Sequence, residues 1–337
     1  MAETLSPTGP LTRHLTDRDV ERLVSWPEAV AALKAAYAEP VDPASVPGRS
    51  TARGPGHWLR SLPAVSPAGD YAGAKLISAS ATGGMASYLL ALFDATTMEL
   101  AGLMDANFVT GMRTAATSAV AVDAIAPQQP LDLAILGSGF EAFKHLAALA
   151  QVRGFSRVRV FSPRAESRQR FIAKAAAELG IEVESARDAE SAVASAELVV
   201  CAARSRDESP ILHGDWLADG STVVSIGSTV PEQREIDWST LDRAARVVAD
   251  VVDEVLHDTG DGIEARARGV DLTVKCVALT DVVSGRITAR EAPDQIVVYK
   301  SVGSALQDIT VGALALRRAL ASDVGYDTPS LIVPVPK

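Results

Sequence analysis

The sequence predicts an α/β protein of two domains, and three observations support this class. The chain of 337 residues is longer than one hydrophobic core usually serves. After residue 130, short β-rich segments alternate with longer helical ones, a pattern typical of βαβ units and a parallel sheet. Before residue 127, strand-like segments are separated by glycines or polar turns, which favours an antiparallel meander. We therefore expect a doubly wound parallel sheet and a second domain of α+β structure.

The chain is predicted to begin with helices. Apolar residues recur at helical intervals over 16–37, with Thr16 and Asp17 as candidate caps. Pro27 is expected to separate two short helices there. Residues 41–73 are rich in Pro, Gly and Ser, which favours turns and short strands over long elements.

The remaining elements follow from changes in periodicity. Strands are predicted in the first half over 74–78, 87–94 and 99–105, and in the second over 131–136, 157–161, 198–201, 222–226 and 247–251. Helices are predicted over 110–125, 140–152, 164–179 and 313–321. Prolines at both ends of 127–130 mark the predicted domain boundary, and the shift in pattern suggests that helix 313–321 returns to the first domain.

Composition narrows the classes of partner. A formal net charge of −10 repels phosphate backbones and anionic headgroups, so we expect no nucleic-acid or membrane partner. The two cysteines, Cys201 and Cys276, lie in apolar segments and suit buried thiols rather than a disulfide framework or a metal cluster. These cysteines are consistent with a reducing cytosol, and we expect no metal site. No apolar stretch approaches the roughly 20 residues of a membrane span, so a cytoplasmic protein is expected.

A dinucleotide site is predicted directly after the apolar strand 131–136. The segment there matches GxGxxA at the start of a helix, and its residues are Gly137, Ser138, Gly139, Phe140, Glu141 and Ala142. The first glycine permits a tight turn, the second lets a pyrophosphate approach the backbone, and the small alanine lets the helix pack on the strand. The helix N-terminus supplies N–H groups to the phosphates. This context predicts a Rossmann domain.

The end of the second predicted strand indicates the choice of cofactor. An acidic residue there would bind the ribose 2′-hydroxyl of NAD, but this chain has Ser162 and Arg164 instead. A hydroxyl and a guanidinium suit a 2′-phosphate through charge-assisted hydrogen bonds. NADP(H) is therefore favoured, with NAD(H) left open if Arg164 only begins a solvated helix.

Three segments together resemble the ornithine cyclodeaminase and mu-crystallin family over nearly the whole chain. They are the GxGxxA segment, TGMRTAA at 110–116 and YKSVG at 299–303. The resemblance implies a Rossmann domain, 128–304, inserted in a substrate-binding and dimerisation domain made of 1–127 and 305–337, and a homodimer. It also implies an NAD(P)-dependent oxidoreductase acting on amino or imino acids.

Three basic residues match positions that surround the substrate carboxylate in this family: Arg49, Lys75 and Arg113. An acidic protein that binds an amino or imino acid needs such clustered cations, and a guanidinium matches a carboxylate bidentately. Lys75 is also suited to donate a proton near the reacting nitrogen, since burial and cationic neighbours lower a lysine pKa. Taken singly, each residue would equally suit a surface salt bridge.

Other family matches are expected near the cofactor. Thr114 corresponds to a residue that contacts the cofactor phosphates, and Ser301 and Gly303 lie in a segment that passes close to the nicotinamide. A helix-surface hydroxyl and a glycine turn would have the same sequence. His57 does not align cleanly, and we interpret it as a solvent-exposed loop histidine.

The segment 225–229 departs from part of the family. Cyclodeaminases resemble it but carry an aspartate, suited to be a general base, where this chain has Thr229. Ketimine reductases have a small hydroxyl residue there, so the resemblance favours imine reduction, with Thr229 hydrogen-bonding the substrate nitrogen or packing beside the cofactor. Ser228 of the same segment joins the expected cofactor-binding residues.

The sequence thus predicts NAD(P)H-dependent reduction of a C=N bond next to a carboxylate, in a cyclic ketimine or a 2-imino acid. One alternative is an amino acid dehydrogenase or an ornithine or lysine cyclodeaminase. Another is a non-catalytic, NADP(H)-dependent ligand-binding protein, as some members of the family are. The sequence does not choose the individual imino acid or the physiological direction.

Overall fold

A computed structural model of the chain describes residues 9–80, 84–205 and 207–336. These residues form two compact units. Unit 1 holds the described residues up to 36, residues 41–113 and those from 304 onward, and unit 2 holds residues 37–40 and 114–303. The chain passes from unit 1 to unit 2 inside a continuous helix, before the prolines at 127–130 where the sequence suggests a boundary.

The secondary structure is given in chain order. The strands are β1 (Leu11–Leu15), β2 (Ser50–Gly54), β3 (His57–Val65), β4 (Tyr71–Ser80), β5 (Ala86–Asp94), β6 (Leu100–Asp105), β7 (Leu131–Leu136), β8 (Phe155–Phe161), β9 (Glu184–Ser185), β10 (Leu198–Cys201), β11 (Thr222–Ser225), β12 (Ala244–Ala249), β13 (Cys276–Ala278), β14 (Ile296–Lys300) and β15 (Tyr326–Pro329). The helices are α1 (Asp17–Leu23), α2 (Trp26–Ala38), α3 (Asn107–Ile125), α4 (Phe140–Leu149), α5 (Ala165–Leu179), α6 (Ala189–Val193), α7 (Trp238–Arg243), α8 (Val252–His257), α9 (Gly260–Ala267), α10 (Leu272–Lys275), α11 (Leu279–Val283) and α12 (Ala305–Ser322).

The strands of unit 1 form one sheet, in the order β15-β1-β6-β5-β4-β3-β2. Neighbours from β2 to β6 are antiparallel, which confirms the meander predicted from 74 to 105. The prediction of only turns and short strands over 41–73 is wrong, because β3 runs for nine residues. Its buried residues alternate at Arg60, Leu62 and Ala64, a period of two that the surrounding prolines and glycines obscure in the sequence.

Helix α12 packs on the face of this sheet formed by β3, β4 and β5. Two glycines permit the close approach. A Cβ on Gly73 of β4 would lie 2.9 Å from Cδ1 of Ile309, and a Cβ on Gly312 of α12 would lie 2.3 Å from Cδ2 of Leu90. Because no side chain intervenes, the first turns of α12 lie directly on β4.

Unit 2 contains a parallel sheet in the order β13-β12-β14-β11-β10-β7-β8-β9. The chain leaves β7 toward β8 and β9 and later returns to build the other half from β10. This confirms the doubly wound fold, with its topological switch point between β7 and β10. Strands β7 and β10 have the predicted bounds, whereas β14 lies inside the sheet and was not among the predicted strands.

The first residues of α1, α2 and α12 can be compared with the predicted helix starts. Thr16 caps α1 and forms a capping box with Asp19, as its position suggested. Two helices are present as predicted, but the break lies at residues 24–25, and Pro27 lies in the first turn of α2, where its missing N–H costs nothing. Helix α12 begins at Ala305 rather than 313, since Gln307 and Asp308 on its buried side interrupt the apolar pattern.

Candidate active site

Lys75 lies at the centre of the sheet in unit 1, on the face that α12 covers. Strand β4 turns Tyr71, Lys75 and Ile77 inward, and the register places Lys75 between Leu62 of β3 and Leu90 of β5. The side chain has no solvent exposure. A lysine at an inward position of an apolar strand needs a charged partner, because an unpaired buried ammonium is very costly.

Asp308 in the first turns of α12 is that partner. Its Oδ1 atom accepts hydrogen bonds from Lys75 Nζ at 2.6 Å and from Arg113 Nε at 3.0 Å. Arg113 extends from α3 and also donates from one terminal nitrogen to Gln307 Oε1 at 2.9 Å. Thr110, one turn earlier in α3, accepts from Lys75 Nζ at 3.4 Å. Three separate elements, β4, α3 and α12, therefore assemble this cluster.

Electrostatics in the cluster favour a neutral or readily deprotonated lysine. The pKa of Lys75 is lowered to about 7, chiefly by burial and next by the charge of Arg113, while Asp308 acts in the opposite direction. The positive charge of Arg49, which precedes β2, also lowers the pKa of Lys75. The structure thus brings Lys75 and Arg113 together on Asp308, and Arg49 is near enough for its charge to act on Lys75.

The cluster is suited to bind an anion. Arg49 and Arg113 carry fixed positive charges, and Asp308 supplies one negative charge, so the group is cationic whatever the state of Lys75. Of the three ammonium hydrogens of Lys75, contacts within the described residues occupy two. A bound carboxylate would gain charge-assisted hydrogen bonds in a dry environment, where such bonds are strong.

Asp308 is the residue of this cluster that sequence reasoning missed. It has no solvent exposure, and among the described residues its Oδ2 atom has no hydrogen-bond partner. The signal was an acidic residue on the apolar face of a helix that begins with the capping residue Ser304. Predicting α12 only from 313 excluded Asp308 from consideration.

In unit 2, the predicted dinucleotide loop has the geometry that a pyrophosphate needs. Gly137 has φ of +128°, and a Cβ there would lie 2.6 Å from the carbonyl oxygen of Ala202. Gly139 caps α4 without a side-chain hydrogen bond, and a Cβ there would meet no atom within 4 Å. The space at Gly139, where α4 begins, is therefore open to a phosphate, as anion binding at a helix N-terminus requires.

Phe140, Glu141 and Ala142 complete the predicted motif. Ala142 is fully buried, which allows close packing of α4. Phe140 is 53% exposed beside the loop, with Lys144 Nζ 4.5 Å from its ring centre. Glu141 lies in the first turn, and its backbone carbonyl contacts His145 Nδ1 at 2.7 Å. Burial lowers the pKa of His145 to about 4, so this histidine is neutral.

Two predicted residues meet at the end of β8. The hydroxyls of Ser138 and Ser162 are 2.7 Å apart, which ties the glycine loop to the end of the second strand. Arg164 is exposed at the N-terminus of α5. Arg168, one turn further, donates to the carbonyl of Ser162 and lies over the ring of Phe161, so it adds a second guanidinium at this strand end.

Thr114 and the 225–229 segment are both held by internal contacts of unit 2. Thr114 is buried in α3, and its carbonyl accepts from Ser118 Oγ at 3.1 Å. Thr229 is half-buried after β11, and its hydroxyl donates to Gln233 Oε1 at 3.3 Å. Ser228 is buried and donates to the Gln233 carbonyl at 2.5 Å.

A buried carboxylate shapes the same loop. Glu235 Oε2 accepts from the N–H groups of Ile226 and Gly227 at 2.7 and 2.8 Å and from Ser225 Oγ at 2.7 Å. Burial raises the pKa of Glu235 to about 7, against the lowering effect of Lys300. A Cβ on Gly227 would lie 2.4 Å from Glu235 Oε1, so a larger residue there would displace this carboxylate.

The segment after β14 is held in a similar way. Lys300 Nζ lies 2.9 Å from both Ser225 Oγ and Asp261 Oδ2, and all three side chains are buried. Asp250 accepts from Ser301 Oγ at 2.7 Å and from the N–H of Gly303 at 2.8 Å, and Gly303 has φ of +84°. Sequence reasoning missed Asp250, Glu235, Lys300 and Asp261, because pairing between distant segments leaves no local pattern.

The remaining predictions concern residues away from these clusters. His57 is solvent-exposed, as interpreted, but it begins β3 rather than lying in a loop. Cys201 is buried, Cys276 is half-buried, and burial raises the pKa of both thiols. The described residues contain no group of side chains arranged to hold a metal ion. Among them, no helix combines the length and apolar character needed to cross a bilayer.

The sequence is similar to those of known proteins over most of its length. The sequence profile of the ornithine cyclodeaminase/mu-crystallin family matches residues 16–323. Ketimine reductase mu-crystallin of Mus musculus is 29% identical over 264 residues, covering 76% of this chain and 79% of that protein. The Delta(1)-pyrroline-2-carboxylate/Delta(1)-piperideine-2-carboxylate reductase of Azospirillum brasilense is 32% identical over 232 residues, covering 67% and 70%.

A solved structure is similar over almost the full chain. The Delta(1)-pyrroline-2-carboxylate reductase of Thermococcus litoralis, in complex with NADH and L-proline, superimposes with a TM-score of 0.87 at 26% sequence identity. The match covers 94% of this chain and all (100%) of that chain.

Proposed function

This chain belongs to the ornithine cyclodeaminase/mu-crystallin family, and on that premise we propose that it is an NAD(P)H-dependent oxidoreductase that reduces a C=N bond next to a carboxylate. The buried Lys75, in contact with Asp308 and beside Arg113, is the observation that carries the proposal. A purely structural lysine at this position would be costly, whereas a proton donor for an amino or imino acid needs this environment.

The substrate carboxylate is assigned to the cationic cluster of unit 1. Arg49 and Arg113 anchor it, and Lys75 completes the binding and protonates the reacting nitrogen. A pKa of about 7 lets Lys75 both hold and release a proton at neutral pH. The absence of an aspartate at Thr229 supports imine reduction over cyclodeamination, because a threonine hydroxyl cannot act as a general base there.

The cofactor is assigned to unit 2. The loop from Gly137 to Ala142 and the first turn of α4 hold the pyrophosphate, and Ser162 and Arg164 favour the 2′-phosphate of NADP(H). When bound, the nicotinamide supplies the hydride. The network around Glu235 and Asp250 positions the segments that carry Thr229, Ser228, Ser301 and Gly303.

A spectrophotometric assay tests this function. NADPH absorbance is followed with five- and six-membered cyclic ketimine carboxylates and with 2-oxo acids plus ammonia or methylamine. We expect turnover of at least one of them, and a loss of roughly 100-fold or more in kcat/KM for Lys75→Ala. Lys174→Ala, at an exposed lysine of α5, serves as the control and should match the wild type.

Three outcomes would contradict the proposal. Release of ammonia from ornithine, lysine or alanine without imine reduction would identify a cyclodeaminase or an amino acid dehydrogenase. Tight NADPH binding without turnover of any substrate would identify a ligand-binding protein. Full activity of Lys75→Ala would remove Lys75 from the chemistry.

A homodimer is part of the same proposal. The sheet of unit 1 turns Leu59, Val65 and Leu89 to the face opposite Lys75, and these residues are 47%, 45% and 41% exposed. An apolar sheet face of this kind is typical of an association surface. We expect Leu89→Arg to shift the sedimentation coefficient to that of a monomer, while Leu320→Arg, at an exposed leucine of α12, leaves it unchanged. A monomeric wild type would contradict this assignment.

A further inference from the structure

We propose that Asp308 is a catalytic residue whose free carboxylate oxygen, Oδ2, binds the positively charged nitrogen of the substrate. The inference rests on the proposed function and extends it, since it assigns the group that recognises the C=N nitrogen. It also defines the substrate class as a protonated imine rather than a neutral ketone.

The first argument is the unequal use of the two carboxylate oxygens. Oδ1 of Asp308 accepts from both Lys75 and Arg113, whereas Oδ2 is buried and accepts from none of the described residues. A buried carboxylate oxygen without a donor is costly to leave unpaired. A ligand that carries N–H groups would satisfy it.

The second argument is its position among the cations. Asp308 touches the two residues that are assigned to the substrate carboxylate and to proton transfer, so a ligand bound there places its α-nitrogen near the aspartate. In the described part of unit 1, Asp308 is the only buried acidic residue. It is therefore the carboxylate that unit 1 offers to this cluster.

The third argument is charge balance during the reaction. Hydride transfer from NAD(P)H would break a C–H bond of the reduced nicotinamide and form one at the imine carbon, and the π electron pair of the C=N bond would move to nitrogen, which loses its positive charge. The amine then takes a proton from the Lys75 ammonium and becomes an ammonium ion. Asp308 faces a cationic nitrogen before and after the reduction, while Lys75 ends neutral and regains its proton from solvent.

A binding comparison tests the assignment without any turnover. L-Proline and cyclopentanecarboxylate have the same ring size and carboxylate, but only proline carries a charged nitrogen. We expect wild-type protein at about pH 8, where Lys75 is largely neutral, to bind proline at least about tenfold more tightly by calorimetry. Equal affinities for the two acids would overturn the proposal.

The variants Asp308→Asn and Asp308→Glu assign the preference to this side chain. Asp308→Asn should bring the two affinities within about twofold, whereas Asp308→Glu, which keeps the charge, should retain a preference for proline. Circular dichroism establishes that each variant is folded. An Asn variant that keeps the wild-type preference would overturn the proposal. If Asn does not fold, Asp308→Glu makes the assignment, and a Glu variant with the same ratio of affinities as the wild type would overturn it, because the longer side chain moves the carboxylate.

Failure of this inference is separable from failure of the proposed function. If wild-type protein reduces ketimines but does not distinguish proline from cyclopentanecarboxylate, Asp308 is structural and the function stands. If it distinguishes the two acids but reduces no imine, the nitrogen site stands and the assigned reaction is wrong.

Discussion

Lys75 Nζ lies 2.6 Å from Asp308 Oδ1, and both side chains are completely buried. The two residues come from a strand in the first half of the chain and from the C-terminal helix. Near this contact, Gly73 and Gly312 let α12 pack closely on the sheet. A substitution at Lys75 or Asp308 should therefore change both the stability of unit 1 and the proposed activity.

Removing Asp308 from this pair should cost more stability than removing Lys75. Asp308→Asn leaves Lys75 and Arg113 without their anion, and we expect a loss of about 3–5 kcal/mol in the free energy of unfolding. Lys75→Met should cost less, because Arg113 still neutralises Asp308. The double variant should be more stable than the sum of the single effects indicates, measured by urea denaturation.

The exposed pair Arg157 and Glu184 provides the control for that cycle. Both side chains lie on the surface, so Arg157→Met should change the unfolding midpoint little. Strict additivity between Lys75→Met and Asp308→Asn would show that their charges do not interact.

The activity should fall as the pH rises above neutrality. The pKa of Lys75 is lowered to about 7, so the ammonium needed for proton donation is present below that pH and lost above it. We expect kcat/KM to decline about tenfold per pH unit beyond the pKa. Lys75→Arg, which stays charged, should remove this decline at a lower overall rate. A wild-type profile that stays flat to about pH 9 would exclude Lys75 as the proton donor.

Glu235 should make the protein less stable at higher pH. Its pKa is raised to about 7 in the folded state. Between about pH 4.5 and 7 the folded protein therefore keeps this carboxyl protonated, whereas the unfolded chain has lost the proton. Stability from this group is therefore present at low pH and decreases by about 3 kcal/mol as the pH rises to 7. Glu235→Gln should flatten this dependence in urea titrations, and Glu178→Gln, at an exposed site on α5, should not.

Arg164 should determine selectivity for the cofactor phosphate. We expect Arg164→Ala to weaken NADPH binding by roughly 10- to 100-fold and to change NADH binding by less than about threefold, measured by fluorescence titration. Arg170→Ala on the same helix is the matched control. Equal losses for both cofactors would mean that Arg164 does not contact the 2′-phosphate.

Local sequence was sufficient for the central strands of the parallel sheet and for the dinucleotide loop, although it missed β14. Strands β7 and β10 are short, apolar and bounded by turn residues, and the glycines after β7 are required by the turn itself. Lys75 and Arg113 were also predictable, through the family resemblance and through the need of an acidic protein for clustered cations at a carboxylate site. Strand β3 was not, because prolines and glycines around it masked a period of two.

The sequence by itself determined the fold class, the GxGxxA loop and the basic residues, because each depends on residue types within one short segment. Tertiary structure alone decided that Asp308 binds Lys75 and Arg113, and that Glu235 and Asp250 hold the segments after β11 and β14. These contacts join residues far apart in the chain. The cost of burying a charge requires each one to have a partner, but only packing selects which partner it is.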